Sequence, residues 1–392
     1  MKIEFEANVL ATVLKEVERI IPASAKTNIH RFVRITANKE EARVDFETTS
    51  HESSIRRTLY EAPVQSPLVI RESGACLLPA RYFLEQVKCT DGKVELISGK
   101  DSKVTLRDDF GKTNIPSIPV DQFTPYQNSE ETVSHIEVKA LQLRMLLEQT
   151  TYACAKSEAR PIFTGVNFHF EEGKLHAVST DTLRLASMSV IGEAKGDAKG
   201  QLTIPRTSLD SIAGILPNDD DETVYLEFGD TGLVVTWGDD ETRCVMRAID
   251  GIYPNVSSII PRTVKHNLRV NRSELLRTFE RIMLIAGENE NMTMHVTFET
   301  TKILLSASAV VTGDGSYEVV LLEPNNENID AMLFNAKYWL EMLKAFKSEV
   351  VEIGINGTEM LVTVRPPENE YFALVAPLVK TATESGQSKQ SA

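Results

Sequence analysis

Asp181 and Arg184 stand three residues apart, a carboxylate beside a guanidinium that could orient or clamp an anionic substrate. His169 and His176, just upstream, carry the side chain that most often serves as a general base. Asp219-Asp220-Asp221-Glu222 offers oxygen ligands for a divalent cation, and Gly192-Glu193-Ala194-Lys195-Gly196 offers glycines and a lysine that could cradle a phosphate. Each has a plainer reading. The histidines fall on an alternating run that reads as a β-hairpin, where an exposed face accounts for them. The acidic run lies between a helix and a strand and reads as solvated, and the glycine segment lacks Walker spacing and reads as a loop. No P-loop, HExxH or GxSxG motif occurs. Cys76, Cys89, Cys154 and Cys244 form no CxxC pair, which excludes a zinc ribbon and a disulfide framework. The expectation is a protein with no catalytic residue, no metal and no cofactor.

A different chemistry, sequence-independent contact with phosphate, needs cations on positioned elements rather than a reactive centre. Arg81, Arg206 and Lys337 occupy equivalent places at the start of three similar helices, 125 and 131 residues apart. A cation there is disfavoured by the helix dipole, so three of them ask for a reason. Lys15, Arg19, Lys26, Lys88, Arg144, Lys156, Arg277, Arg281 and Lys344 are weaker candidates on or beside the helices.

The elements behind these cations repeat. Leu10, Val13, Leu14, Val17, Ile20 and Ile21 have helical spacing over Ala7–Ile21, and Pro79 opens a second helix before Arg81. The same order returns with helices over Ala140–Ala155 and Ser273–Ala286, second helices at Arg206 and Lys337, and hairpin turns at Gly99, Gly229 and Gly357. A period near 130 residues is a whole domain used three times. The sequence therefore predicts an α+β fold of three tandem similar domains, each with two helices packed on antiparallel sheets. Polar junctions put the boundaries at 1–128, 129–263 and 264–380, with a polar disordered tail over 381–392.

Composition sets outer limits. A chain of 392 residues suits two to four domains. The net charge of −14 argues against nucleic acid wrapping the whole surface, though not against a local basic stripe. The first twenty residues carry charges throughout and are no signal peptide, and no stretch has the ~20 apolar residues of a membrane span. The reading is a soluble, cytoplasmic protein without a membrane partner.

The stretch Arg160-Pro161-Ile162-Phe163-Thr164-Gly165-Val166, a hairpin turning at Glu171–Lys174, and Ser179-Thr180-Asp181-Thr182-Leu183-Arg184-Leu185-Ala186 resembles the bacterial sliding clamp family, the β subunit of DNA polymerase III. The resemblance covers roughly Met1 to Leu378. It implies a homodimer joined head to tail as a ring, encircling duplex DNA with the helices, and no enzymatic activity. It also implies a groove that captures the DNA polymerase III catalytic subunit, the clamp loader and other clamp-motif proteins. Matched residue by residue, the groove comprises Phe163, Thr180, Leu183, Arg184 and Leu185, with Pro254 and Ile259 from a loop like the family's D-G-x-[FY]-P-D segment. Tyr338, Leu374, Ala376, Pro377 and Leu378 complete it. The DNA-lining set would be Lys26, Arg81, Arg206 and Lys337 with Lys15, Arg19, Lys156, Arg277 and Arg281. Family position puts Val104 against Leu284 and Ile285 at the dimer interface. Two departures stand out: Thr182-Leu183 replaces the usual Gly-His, and Ala376-Pro377-Leu378-Val379-Lys380 lacks the family's terminal arginine. They motivate an alternative, a clamp-like peptide-binding protein (a paralogue or mobile-element copy) that is not the main replicative clamp. An acidic enzyme using Asp181 is a third reading.

Overall fold

In the computed structural model of the chain, the described residues are 1–378 except 23–27, 64–65, 100–101, 127–131, 196–199, 262, 290 and 368–370. Lys26, Gly196, the junction at 127–131, Arg262, Val379, Lys380 and the tail lie outside them. Six α-helices occur among the described residues: α1 (Ala7–Glu18), α2 (Ala80–Lys88), α3 (Ala140–Thr150), α4 (Arg206–Ala213), α5 (Arg272–Ala286) and α6 (Ala336–Ala345). The chain gathers into two compact units. One holds Met1–Met145, Phe168–Leu175 and Val190–Asp250; the other holds Leu146–Asn167, His176–Ser189 and the chain from Gly251 onward.

The first unit is built on two sheets. In the nine-stranded sheet the order is Glu193–Lys195, Thr132–Lys139, Thr223–Gly229, Gly232–Trp237, Thr242–Arg247, Ser53–Tyr60, Arg43–Thr49, Phe32–Asn38 and Gly74–Pro79. A five-stranded sheet runs from Leu68–Glu72 through Lys2–Glu6, Lys93–Ser98 and Lys103–Arg107 to Lys112–Pro116. Strict alternation gives Phe32–Asn38 an inner face of Val33, Ile35 and Ala37. Against this interior α1 buries Ala7, Leu10, Val13, Leu14 and Val17, as its spacing predicts. The helix is shorter than expected because its last carbonyls find other donors. Buried Thr48 donates its hydroxyl to Val17 O at 2.5 Å, and Ile21 N turns back to Glu18 O. Ile20 and Ile21 remain buried beyond the helix end.

The Gly192–Gly196 segment corrects the loop reading. Glu193–Lys195 is a strand, with His135 paired to Lys195 and Glu137 to Glu193. A Cβ at Gly192 would meet Ile136 and Phe170 at 3.1 and 3.2 Å, so glycine permits this edge to close on the sheet. Glu172 and Gly173 both take positive φ (51° and 75°), the combination a two-residue type I′ hairpin turn needs.

In the second unit, strands Arg184–Ile191, Phe372–Val375, Val362–Arg365, Val350–Ile355 and His266–Asn271 are successive neighbours, and a four-stranded sheet orders Gly313–Val320, Lys302–Ala309, Thr293–Phe298 and Ile329–Asn335. α3 stops at Thr150, short of the expected Ala155. Ser179 donates to Thr150 O at 2.5 Å, and the chain tightens into a 3-10 turn over Thr151–Ala153. Asn271 and Asn335 cap α5 and α6, each accepting two backbone N–H groups through its side-chain oxygen. Trp339 on α6 stacks on Phe279 of α5 at 5.2 Å and meets the edge of Phe334 at 5.4 Å. All three side chains are fully buried. Phe279→Ala should therefore cost about 3–5 kcal/mol of stability. Denaturant unfolding followed by the fluorescence of Trp339, with Trp237 replaced by Phe, should show the midpoint falling accordingly; an unmoved midpoint would contradict this packing.

Candidate functional site

The apolar residues singled out in the sequence converge within the second unit. Val178, Leu185, Tyr253 and Leu374 form a buried cluster, with Ile162, Phe163, Val256, Ile260, Leu361 and Phe372 packed around it. Phe163 meets Tyr253 edge-on at 5.8 Å. The backbone sets Leu185 and Leu374 in register on paired strands, and beyond that pairing Ala376 N donates to Leu183 O at 2.8 Å. Beside these residues in the chain, Leu183 (two before Leu185) is 45 % exposed and Ile259 (next to Ile260) is 48 % exposed, and Pro254, which follows Tyr253, is also on the surface. Pro377 and Leu378 continue the same edge, where Leu378 N donates to Leu333 O at 2.7 Å. The geometry is that of an apolar shelf with exposed side chains at its rim.

Arg184, named for the groove and as an anion clamp, does not face the groove. Its side chain is buried, with the residue only 4 % exposed, and it lies beneath the surface. Nε donates to Asp181 Oδ2 at 2.9 Å and Nη1 donates to Glu341 Oε2 at 2.5 Å. The guanidinium carbon sits 4.5 Å from the Tyr338 ring centroid and 5.5 Å from that of Tyr152. Burial opposes the charge, but Glu341 and Asp181 outweigh it and hold the Arg184 pKa above its ordinary value. Asp181 is spent in the same way: Oδ1 accepts the N–H groups of Leu183 and Arg184, both at 3.0 Å. Neither group is disposed to bind an anion or move a proton, so the carboxylate-and-clamp reading fails on geometry. Tyr152 and Tyr371 share a hydrogen bond at 2.9 Å, and burial raises both phenols.

Thr182 tops this turn with φ of 81°, unusual for a β-branched residue. Its N–H donates to Thr180 Oγ1, and that hydroxyl donates to Arg184 O at 2.5 Å. The turn is thus over-determined, and Leu183 is pushed outward at its apex.

The cations are distributed differently. Arg81 donates to Glu18 Oε1 at 2.5 Å and to Ile21 O at 3.2 Å. It begins α2 yet sits at the C-terminal end of α1, where a helix dipole favours positive charge. That answers the dipole objection for this residue. Arg206 pairs with Asp210 one turn on along α4, Lys156 lies 4.0 Å from Glu341, and Arg281 lies 5.7 Å from the Tyr317 ring. Lys15, Arg19 and Arg277 are exposed on their helices and Lys337 is half-buried. Arg144 turns inward to the carbonyl of Leu216 instead of facing solvent. His169 and His176 are half-buried on their strands. In the acidic run, Asp219 accepts Asp221 N and Glu222 accepts Gly238 N; among the described residues no group of three or more His, Cys, Asp or Glu could hold a metal. No described helix is long and apolar enough to cross a membrane.

Val104 is the other correction. It is fully buried, opposite Ile115 in the five-stranded sheet, so its side chain has no face toward a partner. The exposed apolar side chain nearby is Phe110, 89 % exposed at the tip joining Lys103–Arg107 to Lys112–Pro116. Asp108 Oδ1 accepts the N–H groups of Phe110 and Gly111 and stiffens that tip. Leu284 is 76 % exposed, whereas Ile285 packs on Gly315, where a Cβ would lie 2.5 Å from its Cδ1. Sequence reasoning missed Phe110 because an aromatic in a turn has no periodicity to mark it, and missed Glu341 because its partner lies 157 residues away.

Solved structures place the fold first. A DNA polymerase sliding clamp from Bacillus subtilis superposes with a TM-score of 0.89 at 24% identity, covering 97% of this chain and 100% of that one. A sliding clamp from Pseudomonas aeruginosa bound to griselimycin gives 0.86 at 18% identity over the same shares. The class is that of the clamp fold. The family models for the DNA polymerase III beta subunit match residues 137–255 with the central domain and 257–378 with the C-terminal domain. Among curated relatives, the beta sliding clamp of Bacillus subtilis is 25% identical over 384 residues (97% of this chain, 100% of that protein), and that of Staphylococcus epidermidis is 25% identical over 358 (91% and 93%). The chain belongs to the DNA polymerase III beta subunit family, the sliding clamps, which are processivity factors and not enzymes.

Replacing Arg184 with Met should leave Asp181 and Glu341 facing each other across a partly buried gap and cost about 3–5 kcal/mol. Calorimetry should show a lowered melting temperature. Unchanged melting would mean that Arg184 is not the strut of this turn.

Proposed function

We propose that two copies of this chain close into a ring around duplex DNA and tether polymerases through the shelf in the second unit. The single observation that carries the tethering is the buried floor of Val178, Leu185, Tyr253 and Leu374 with Phe163, Val256 and Ile260 packed against it, flanked in the chain by the exposed Leu183 and Ile259. An apolar anchor from a partner segment would cover Leu183 and Ile259, the kind of capture in which a few buried side chains supply most of the affinity. The partners would be the DNA polymerase III catalytic subunit, the clamp loader and other proteins with the same motif, in the cytoplasm. The clamp-like protein that binds peptides without serving replication is not favoured, since the match to DNA polymerase sliding clamps runs over nearly the whole chain.

The three-domain division at 1–128, 129–263 and 264–380 is part of this reading. It is supported by the order of elements, in which helix pairs α1/α2, α3/α4 and α5/α6 recur at similar spacing. The six helices carry slightly more cations than acids while the chain as a whole is at −14. That contrast suits helices that line the hole and an acidic exterior that repels DNA. Lys26, Arg81, Arg206, Lys337, Lys15, Arg19, Lys156, Arg277 and Arg281 are the proposed contacts.

For the ring, Lys112–Pro116 and Gly313–Val320 are each the terminal strand of their sheet. An unpaired edge is a template for another chain. Head-to-tail pairing of the two between copies, with Phe110 in place of Val104 beside Leu284 and Ile285, would bury the exposed apolar tip. Light scattering should give a mass near twice 43.6 kDa, and Phe110→Asp with Leu284→Asp should yield a folded monomer. A dimer surviving both changes would disprove this interface.

Charge reversal at Arg81, Arg206 and Lys337 together should shorten retention on closed circular DNA roughly tenfold. Its salt dependence should flatten by about 0.9 for each phosphate no longer neutralised. With melting temperature as the folding control, unchanged retention would remove these residues from the DNA path.

A further inference from the structure

Beside the C-terminal segment lies a cleft of about 250 Å³. Ala331, Met332, Leu333, Thr358, Pro377 and Leu378 line it, and Glu359, exposed in the turn before Val362–Arg365, is the one charged side chain among its described lining residues. Aliphatic side chains beside Thr358 and a lone carboxylate suit a methylene stem with a cation at its tip, as in lysine or arginine. An acidic side chain would meet Glu359 as a like charge, on a chain already at −14.

The chain links the cleft to the apolar shelf. Leu374 lies in the shelf floor, Ala376 N bonds to Leu183 O, and Pro377 and Leu378 form the cleft wall, with Leu378 N bonded to Leu333 O. From Leu374 to Leu378 the backbone spans at most about 14 Å. An extended partner segment along this edge can therefore put an apolar side chain over the shelf and another side chain in the cleft.

We infer that Glu359 is a specificity-determining residue: the groove selects partner segments carrying lysine or arginine within about five residues of the apolar anchor. The inference rests on the partner-groove reading and adds the charge of the partner. Pro377 and Leu378 of the cleft lie three and four residues after Leu374 of the floor, which places the apolar anchor and the cationic position within reach of one partner segment.

The test is fluorescence anisotropy with the full-length protein and fluorescein-labelled twelve-residue peptides. The peptides share a Leu-Phe anchor and differ only in Lys, Met or Glu at one position, scanned from three to five residues away on either side. At low salt the best-placed Lys peptide should bind about fivefold more tightly than its Glu counterpart, with Met between, as expected of a surface ion pair. Glu359→Lys should reverse that order, and 0.5 M NaCl should level it. Glu359→Lys is a surface change, and an unchanged melting temperature verifies its fold. Equal binding of the Lys and Glu peptides at every position, or the same preference in Glu359→Lys, overturns this inference and leaves the groove intact. Failure of every peptide to bind, with Leu183→Asp making no difference, overturns the groove reading and this inference with it.

Discussion

The second unit depends on how one buried positive charge is satisfied. Arg184 places a guanidinium where water does not reach, and isolated burial of such a charge would cost several kcal/mol. Two carboxylates remove that cost: Asp181 three residues before it in the chain and Glu341 on α6. Because Asp181 also accepts the N–H groups of Leu183 and Arg184, the ion pair fixes the backbone of the turn as well as the side chain. Because Glu341 belongs to α6, the same contact fixes the turn relative to a helix. The exposed leucine at the apex is a consequence of this arrangement. A residue that reads as an anion clamp is in fact the strut beneath an apolar one.

The backbone of the turn carries the other half of the constraint. Thr182 adopts a φ that a β-branched side chain resists, and it stays there because Thr180 and Asp181 hold the flanking N–H groups. Strain persists where surrounding bonds over-determine it. Its location next to the most exposed part of the shelf puts a rigid wall where a partner would approach. Rigidity lowers the entropic cost of binding, since less has to be ordered on contact.

Much of the architecture was legible in the residues. Helical spacing located α1, α3 and α5, Pro79 marked the start of α2, and recurrence supplied α4, α6 and the order of elements. Helix ends were less legible, because α1 and α3 stop where hydroxyls from distant strands, Thr48 and Ser179, take their last carbonyls. No local propensity encodes a donor supplied from 29 or 31 residues away. Gly192–Gly196 misled for the same reason: its composition is that of a loop, and only the neighbouring strand makes Glu193–Lys195 an edge. The groove and interface residues were named through family likeness and not periodicity, and the burial of Arg184 and Val104 was not foreseen.

The sequence by itself determined what is local or repeated: amphipathic faces, hairpin turns, the α+β class, and a motif specific enough to name the family. These follow from side-chain spacing, which the chain carries wherever it folds. The tertiary structure alone decided which side of a surface each residue occupies. It put Arg184 below and Leu183 above, buried Val104 and exposed Phe110, and set Arg81 at the end of a helix it does not belong to. Burial, and therefore the meaning of a charge, depends on what distant segments bring alongside, and Glu341 lies 157 residues from the arginine it neutralises.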